Sequence, residues 1–178
     1  MPLFFLLVLA GAGAYLFSRD QTGENAALDA ASNIVKDTVA KTTALFSTPY
    51  DALIDAEEKR NGLPHGILWN LLYTESRYRS DIIDGSTKSR VGALGIAQFM
   101  PATAQEWLGS TRAALDPQKA IPGAARYLAW LIAQTGSVDA GVAAYNWGVG
   151  NVKRKGLDNA PQETIDYVAS ITGTDISA

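Results

Sequence analysis

From Pro49 onward, apolar residues recur at intervals of three and four, the spacing that lines one face of an α-helix. The clearest case begins near Pro64, where Ile67, Leu68, Leu71, Leu72 and Glu75 share a face. This predicts a buried helix with a carboxyl group at its inner edge. A longer run from Asp116 or Pro117 to Gln134 places Ile121, Ala124, Ala125, Leu128, Leu131 and Ile132 along one side, with Gly136 as its stop. Further helices are expected from Pro49 to Gly62 with Asp51 near the start, from Pro101 to Leu108, from Ser137 to Tyr145, from Gly148 to Lys153 and from Pro161 to Thr172. Residues 79–95, rich in glycine, serine and threonine, read as a loop. No stretch alternates apolar and polar residues as a half-buried strand does. The expected fold is therefore all-α, with no sizeable sheet and no internal repeat.

The pattern changes upstream. Pro2 to Phe17 is an unbroken apolar or small-residue stretch, closed by Ser18, Arg19 and Asp20. Its length is at the short edge of what crosses a hydrocarbon layer of ~30 Å. Ala10-Gly-Ala12 and Ala12-Gly-Ala14 resemble the small-residue cleavage sites of secretory signals, but no lysine or arginine precedes the run as a signal requires. An uncleaved membrane anchor through residues 2–17 is the favoured reading, with a cleaved signal or a helix buried in an assembly as alternatives. Residues 19–48 are a polar, Ala/Thr/Asp-rich connector in which Leu28, Ala31, Val35 and Leu45 recur at roughly helical spacing. A spacer helix packed on a partner and a simple tether both fit. The chain thus divides into residues 1–18, 19–48 and a globular domain over 49–178.

Composition narrows the chemistry. The formal net charge is −3, and acids and bases nearly balance from Pro49 on, which argues against a nucleic-acid partner. The chain contains no cysteine, so disulfides and thiolate metal sites are excluded. His65 is the only histidine and has neither Cys nor a second His to complete a metal site; it reads as a surface residue. What remains is a carboxyl, Glu75, amid Leu71, Leu72, Tyr73 and Tyr78, where poor solvation of the anion raises the pKa. A raised carboxyl pKa suits a general acid acting near neutral pH. The loop that follows, Gly92-Ala-Leu-Gly-Ile-Ala-Gln-Phe-Met-Pro101, offers backbone freedom, an amide at Gln98 and apolar surface at Phe99 and Met100 for a pyranose face.

Taken together, Glu75-Ser76, the run from Ser89 to Pro101, Ala144-Tyr-Asn-Trp-Gly-Val-Gly-Asn-Val152, and Glu163-Thr164 with Tyr167-Val168 resemble the SLT-type lytic transglycosylases of the lysozyme-like superfamily. Tyr50-Asp-Ala-Leu-Ile and Gly62-Leu-Pro look like that family's first helix and turn, so the likeness covers nearly all of residues 49–172. The chain departs from the pattern at Gly-Ile-Ala-Gln-Phe-Met-Pro, where the family more often has Gly-Leu-Met-Gln-Ile-Met-Pro, and at Trp147, where a small residue is usual.

The resemblance implies that Glu75 is the catalytic acid and base. It implies substrate contacts from Ser89, Gln98 and Met100, a Tyr145 hydroxyl directed at the catalytic carboxyl, and an Asn146 amide that grips an N-acetyl group or holds the turn into Gly148. Glu163 and Tyr167, four apart on the last helix, are implied to support the groove floor. Ser76 is compatible with a capping role alone. Trp69, Trp107 and Trp130 read as mostly core, and Trp147 as the tryptophan nearest sugar. Two-carboxylate glycosidases require a second acid; Asp81 and Asp84 are the nearby candidates, and the family pattern gives neither a catalytic role. The implied reaction cleaves the β-1,4 bond between N-acetylmuramic acid and N-acetylglucosamine with one carboxylate, leaving a 1,6-anhydro end, with no metal or other cofactor. The implied partner is the peptidoglycan glycan strand. Residues 1–48 are expected to meet a membrane or other virion or envelope-assembly proteins, in a protein acting in the periplasm. A hydrolytic muramidase and a non-catalytic glycan-binding assembly protein are the alternative functions.

Overall fold

The computed structural model describes residues 30–38 and 47–177. They fall into two units divided between Ser47 and Thr48. In the first, residues 30–38 are helical, and Ile34 and Val35 are exposed. The apolar stretch from Pro2 to Phe17 and most of the connector lie outside the described residues. Among the described residues, no helix is long and apolar enough to cross a membrane.

The second unit is helical, as the apolar spacing predicts. It contains α1 (Asp51–Asn61), α2 (Ile67–Ser76), α3 (Ser80–Ile83), α4 (Pro101–Leu108), α5 (Pro117–Thr135), α6 (Val138–Trp147), α7 (Val149–Lys155) and α8 (Gln162–Thr172). Short 3-10 turns occupy Thr111–Leu115 and Leu157–Asn159. Helix α5 is the central rod, packed by α1, α4, α6 and α7, while α2 is held between α1 and α8. Ile121, Ala124, Ala125, Leu128 and Leu131 of α5 are buried, as the periodic stripe requires. They meet Val142, Ala143 and Ala144 of α6 and, through the shared core, Leu68, Leu71 and Leu72 of α2. Close packing of α6 on α5 depends on small residues. A Cβ added at Gly141 would stand 2.9 Å from the Ile132 backbone, closer than two helices tolerate.

Helix ends follow elementary capping chemistry. The Asp116 carboxylate accepts the Gln118 amide ahead of Pro117, and Ser137 accepts the Ala140 amide at the start of α6. Gly136 takes the left-handed conformation that ends α5, its N–H donating to Ile132. Asp51 accepts the Thr48 amide at 2.9 Å and the Trp69 indole N–H at 3.1 Å, joining the entry of α1 to α2.

Several boundaries differ from the expectation. Helix α2 starts at Ile67 rather than Pro64, because Gly66 adopts φ 86° and residues 64–66 turn instead. The expected loop over 79–95 contains α3, formed where Ile83 finds a buried seat. The only pairing resembling a sheet among the described residues is an isolated antiparallel bridge between Leu94 and Phe99.

The sequence does not mark out Glu58, yet its side chain holds α2 in place. It is 2% exposed, and its carboxylate accepts the amides of Gly66 and Leu68 at 2.9 Å and of Trp69 at 3.4 Å. An anion here meets the unsatisfied N–H groups and the positive end of the helix dipole together. We expect Glu58→Ala to cost about 3 kcal/mol, since it strands buried amides that bonded a charged acceptor. Urea unfolding of the variant beside the parent checks this; an unchanged midpoint would contradict the capping role.

Candidate active site

Glu75 occupies the last turn of α2, and the chain reverses immediately after it. Ser76 is fully buried; its hydroxyl donates to the Leu72 carbonyl at 3.0 Å and accepts the Tyr78 amide at 3.2 Å. Its role in the structure is therefore to shape the turn. Arg77 and Tyr78 are both left-handed, each with φ 52°. The Tyr78 hydroxyl donates back to the Trp69 carbonyl at 3.0 Å, within a ring cluster that also includes Tyr50 and Tyr73.

The Glu75 carboxyl is largely desolvated although the residue keeps a solvent-facing edge. Burial pushes its pKa up from 4.5 to about 7, and a hydrogen bond from Tyr167 pulls part of the way back. That bond, from the Tyr167 hydroxyl to Oε1, is 2.5 Å long. A position at the C-terminal end of α2, where the helix dipole is negative, also disfavours the anion. Burial raises the Tyr167 and Tyr145 phenols well above their ordinary value, with the Glu75 charge contributing to both, so they remain protonated donors.

The expected partner of Glu75 was Tyr145; the hydroxyl that reaches it belongs to Tyr167. Tyr145 instead donates to the Ala97 carbonyl at 2.8 Å, tying α6 to the glycine-punctuated loop. The reason is packing: α8, which carries Tyr167, lies against α2, whereas α6 presents Tyr145 to the loop backbone. Both rings border the carboxyl, but only one bonds it.

The loop itself is a four-residue reversal closed by mutual bonds between Leu94 and Phe99, each 3.0 Å long. Gly95 cannot carry a side chain, since a Cβ would lie 1.7 Å from the Ala114 carbonyl oxygen. Gln98 sits at φ 45°, and its side-chain amide donates to the Gly95 carbonyl at 2.8 Å, so part of its bonding capacity braces the loop. Met100 precedes Pro101 at the start of α4 and is 46% exposed, unlike a gap-filling core methionine. Ser89 accepts the Val91 amide at 3.3 Å in a local turn and lines a cavity of about 230 Å³ with Ile82, Thr87, Lys88, Leu94 and Leu115.

Asn146 is exposed at the end of α6, and its side-chain carbonyl accepts the Thr164 hydroxyl at 2.8 Å, linking α6 to α8. Glu163 is exposed in the first turn of α8, one turn before Tyr167. Glu75, Tyr145 and Tyr167 are thus brought together; Gln98 and Met100 lie on the loop that Tyr145 anchors, and Asn146 and Glu163 are exposed at the end of α6 and the start of α8.

Neither alternative carboxylate is free. Asp81 is held by Arg79 at 2.6 and 3.1 Å and by the Thr87 hydroxyl at 2.7 Å. The Arg79 bond chiefly draws its pKa down to about 2. Asp84 accepts the Ser86 amide at 2.8 Å, which lowers its pKa as well. The fold also gives His65 partners that the sequence leaves hidden: ligand atoms of Asp55, Glu58 and His65 lie within 4.8 Å of one another. Because both Glu58 oxygens already accept backbone amides, this group closes the turn before α2. Of the tryptophans, Trp147 has Lys155 Nζ 5.2 Å above its ring, and Trp130 is 39% exposed rather than core.

An all-helical domain with one protonatable, desolvated glutamate beside a braced loop has the parts of a site that cleaves glycosidic bonds. The chain belongs to the family of the transglycosylase SLT domain, whose family model matches residues 52–168. It is similar to the peptidoglycan transglycosylase gp16 of Escherichia phage T7, with 32% identity over 115 residues. That alignment takes in 61% of this chain and 8% of the phage protein's length.

Tyr167 stabilises the ionised form of Glu75, so Tyr167→Phe should raise the Glu75 pKa above about 7. The loss of a bond to a charged acceptor corresponds to about one pH unit. In a pH profile of murein solubilisation, the alkaline limb should move upward by that amount. A limb that stays in place would detach Tyr167 from the titrating group.

Proposed function

We propose that this chain is a lytic transglycosylase of peptidoglycan in which Glu75 alone serves as acid and then base. The observation that carries the reading is the Glu75 carboxyl, poised at a pKa of about 7 between phenols, with Asp81 and Asp84 committed to their own loop. Protonated Glu75 donates to the oxygen joining N-acetylmuramic acid to N-acetylglucosamine, and that C–O bond breaks. The substrate's acetamide carbonyl supports the cationic C1. Ionised Glu75 then takes the proton of the muramyl 6-hydroxyl as its oxygen bonds to C1, giving a 1,6-anhydro end and restoring the acid. The nucleophile belongs to the substrate, so its effective molarity is roughly 10⁵ M or more and water is not required.

In this reading Met100 and Gln98 contact the glycan from the loop, Ser89 approaches it near the cleaved bond, and Tyr145 and Tyr167 hold the loop and the acid. Asn146 offers its amide to an N-acetyl group or holds the turn into Gly148, and Glu163 supports the groove floor with Tyr167. The phage relative supports a virion setting, in which the enzyme opens the wall locally from the periplasmic side. Residues 2–17 would hold it to a membrane, and residues 1–48 would join it to other assembly proteins.

Mass spectrometry of soluble products from purified murein tests the chemistry, with Glu75→Gln as control. Anhydromuramyl ends made by the parent and absent from the control are expected. Reducing ends one water heavier would make the protein a muramidase, and no product from either would leave a glycan binder.

The buried acid also has a stability cost. With its folded pKa raised from 4.5 to about 7, the folded state holds a proton that the unfolded state releases between those values. Stability therefore falls as pH rises through that window, by at most about 3 kcal/mol. Glu75→Gln should unfold at a higher urea concentration than the parent at pH 8 and at the same concentration at pH 4. Equal midpoints at both would contradict the raised pKa.

A further inference from the structure

A series of rings leads away from the acid. Tyr145 lies 5.3 Å from Tyr127, and Tyr127 lies 5.1 Å from Trp107 and is stacked at 6.1 Å on Trp130. Trp107 and Trp130 close the group at 5.6 Å. The rings thus pass from α6, where Tyr145 borders Glu75, across α5 to α4. The inner ones are half-buried or deeper, and the outermost, Trp130, is exposed. Rings packed against one another lose little freedom on binding, so such a surface receives an apolar ligand face at low entropic cost.

The same face of α5 continues toward its N-terminus. Trp130, Arg126, Pro122 and Lys119 follow at intervals of four, four and three, which makes one stripe. Trp107, Leu108, Gln118, Lys119, Pro122 and Arg126 border a groove of about 280 Å³, and Trp130 flanks it through its ring contact with Trp107. Arg126 donates from one guanidinium nitrogen to the Trp107 carbonyl at 3.3 Å, tying the cation to the backbone of α4. Its remaining N–H donors form a fork suited to a carboxylate. Lys119 stands in the same groove, shared with Asp116 at 3.2 Å.

We propose that this groove is a second peptidoglycan subsite, in which Trp130 and Trp107 carry the apolar face of a sugar ring while Arg126, assisted by Lys119, binds a carboxylate of the peptide stem. The inference rests on the peptidoglycan reading given above. Two features favour this occupant. The ring series that starts at Tyr145, beside Glu75, ends at Trp107, which lines the groove. An aromatic wall beside a cation also matches a polymer whose amino sugars carry acidic stems, and neither element suffices for both parts.

The test measures binding of the full chain carrying Glu75→Gln to intact murein sacculi and to glycan strands stripped of stems by an amidase. Adding Trp130→Ala should weaken binding to both substrates roughly tenfold, while Trp130→Phe retains most of it. Adding Arg126→Gln should weaken binding roughly threefold on stem-bearing murein alone, and the loss should vanish at high salt. Circular-dichroism melts identify any variant that fails to fold. If both variants bind as the Glu75→Gln protein does, the subsite is overturned while the Glu75 chemistry stands. An equal loss from Arg126→Gln on stripped strands overturns the stem assignment. Failure of the Glu75→Gln protein itself to bind either substrate overturns the subsite and the peptidoglycan reading together.

Discussion

The site depends on a carboxylate that takes no part in the proposed chemistry. Glu58, buried beneath the turn of residues 62–66, gathers the first amides of α2 onto its two oxygens. A ten-residue helix gains little from propensity alone and must be held by its surroundings. Glu58 supplies the hold at one end, and the buried row of Leu68, Leu71 and Leu72 supplies it along the length. Glu75 inherits its position from both. The two glutamates of this short stretch show how location assigns role: at the N-terminal end of α2 an anion is welcomed by free N–H groups and dipole, and at the C-terminal end it is disfavoured. The first is fitted to bind backbone as an anion, the second to keep a proton.

The acid's environment is an assembly of three helices and a loop rather than a property of its own segment. Leu71 and Leu72 remove water on the α2 side, Tyr167 comes from α8, and Tyr145 comes from α6 while pinning Ala97. The loop is further constrained by Gly95 against Ala114, so its Gln98–Met100 edge is presented with little freedom to rearrange. Binding by such an edge loses less entropy than binding by a free loop.

Much of this was legible in the chain. Apolar spacing predicted the helices of the domain, Pro101 and Gly136 marked real ends, and the depressed polarity around Glu75 foretold a raised pKa. The misses share a cause, which is dependence on residues distant in sequence. Which tyrosine reaches Glu75 is decided by α8 lying on α2, a contact between positions far apart in the chain. Glu58 reads as one more surface glutamate, because its burial exists only once the following turn folds over it. Trp130 has the periodicity of a core residue, yet lies at the edge of the stripe and stays exposed. Ile83 nucleates α3 in an apparent loop because of a buried seat that local composition does not reveal.

The bend after Glu75 carries a consequence of its own. Two successive residues with side chains, Arg77 and Tyr78, are left-handed, where each pays about 1–2 kcal/mol relative to glycine. Their side chains are what fasten the bend: Arg77 lies 4.7 Å from the Tyr73 ring, and Tyr78 bonds the Trp69 carbonyl. Glycine at either place would relieve the backbone and release the fastening. The aim of the acid therefore rests on side-chain contacts that hold the backbone where it would not settle by itself, and a substitution that eased the bend would also loosen the carboxyl's orientation.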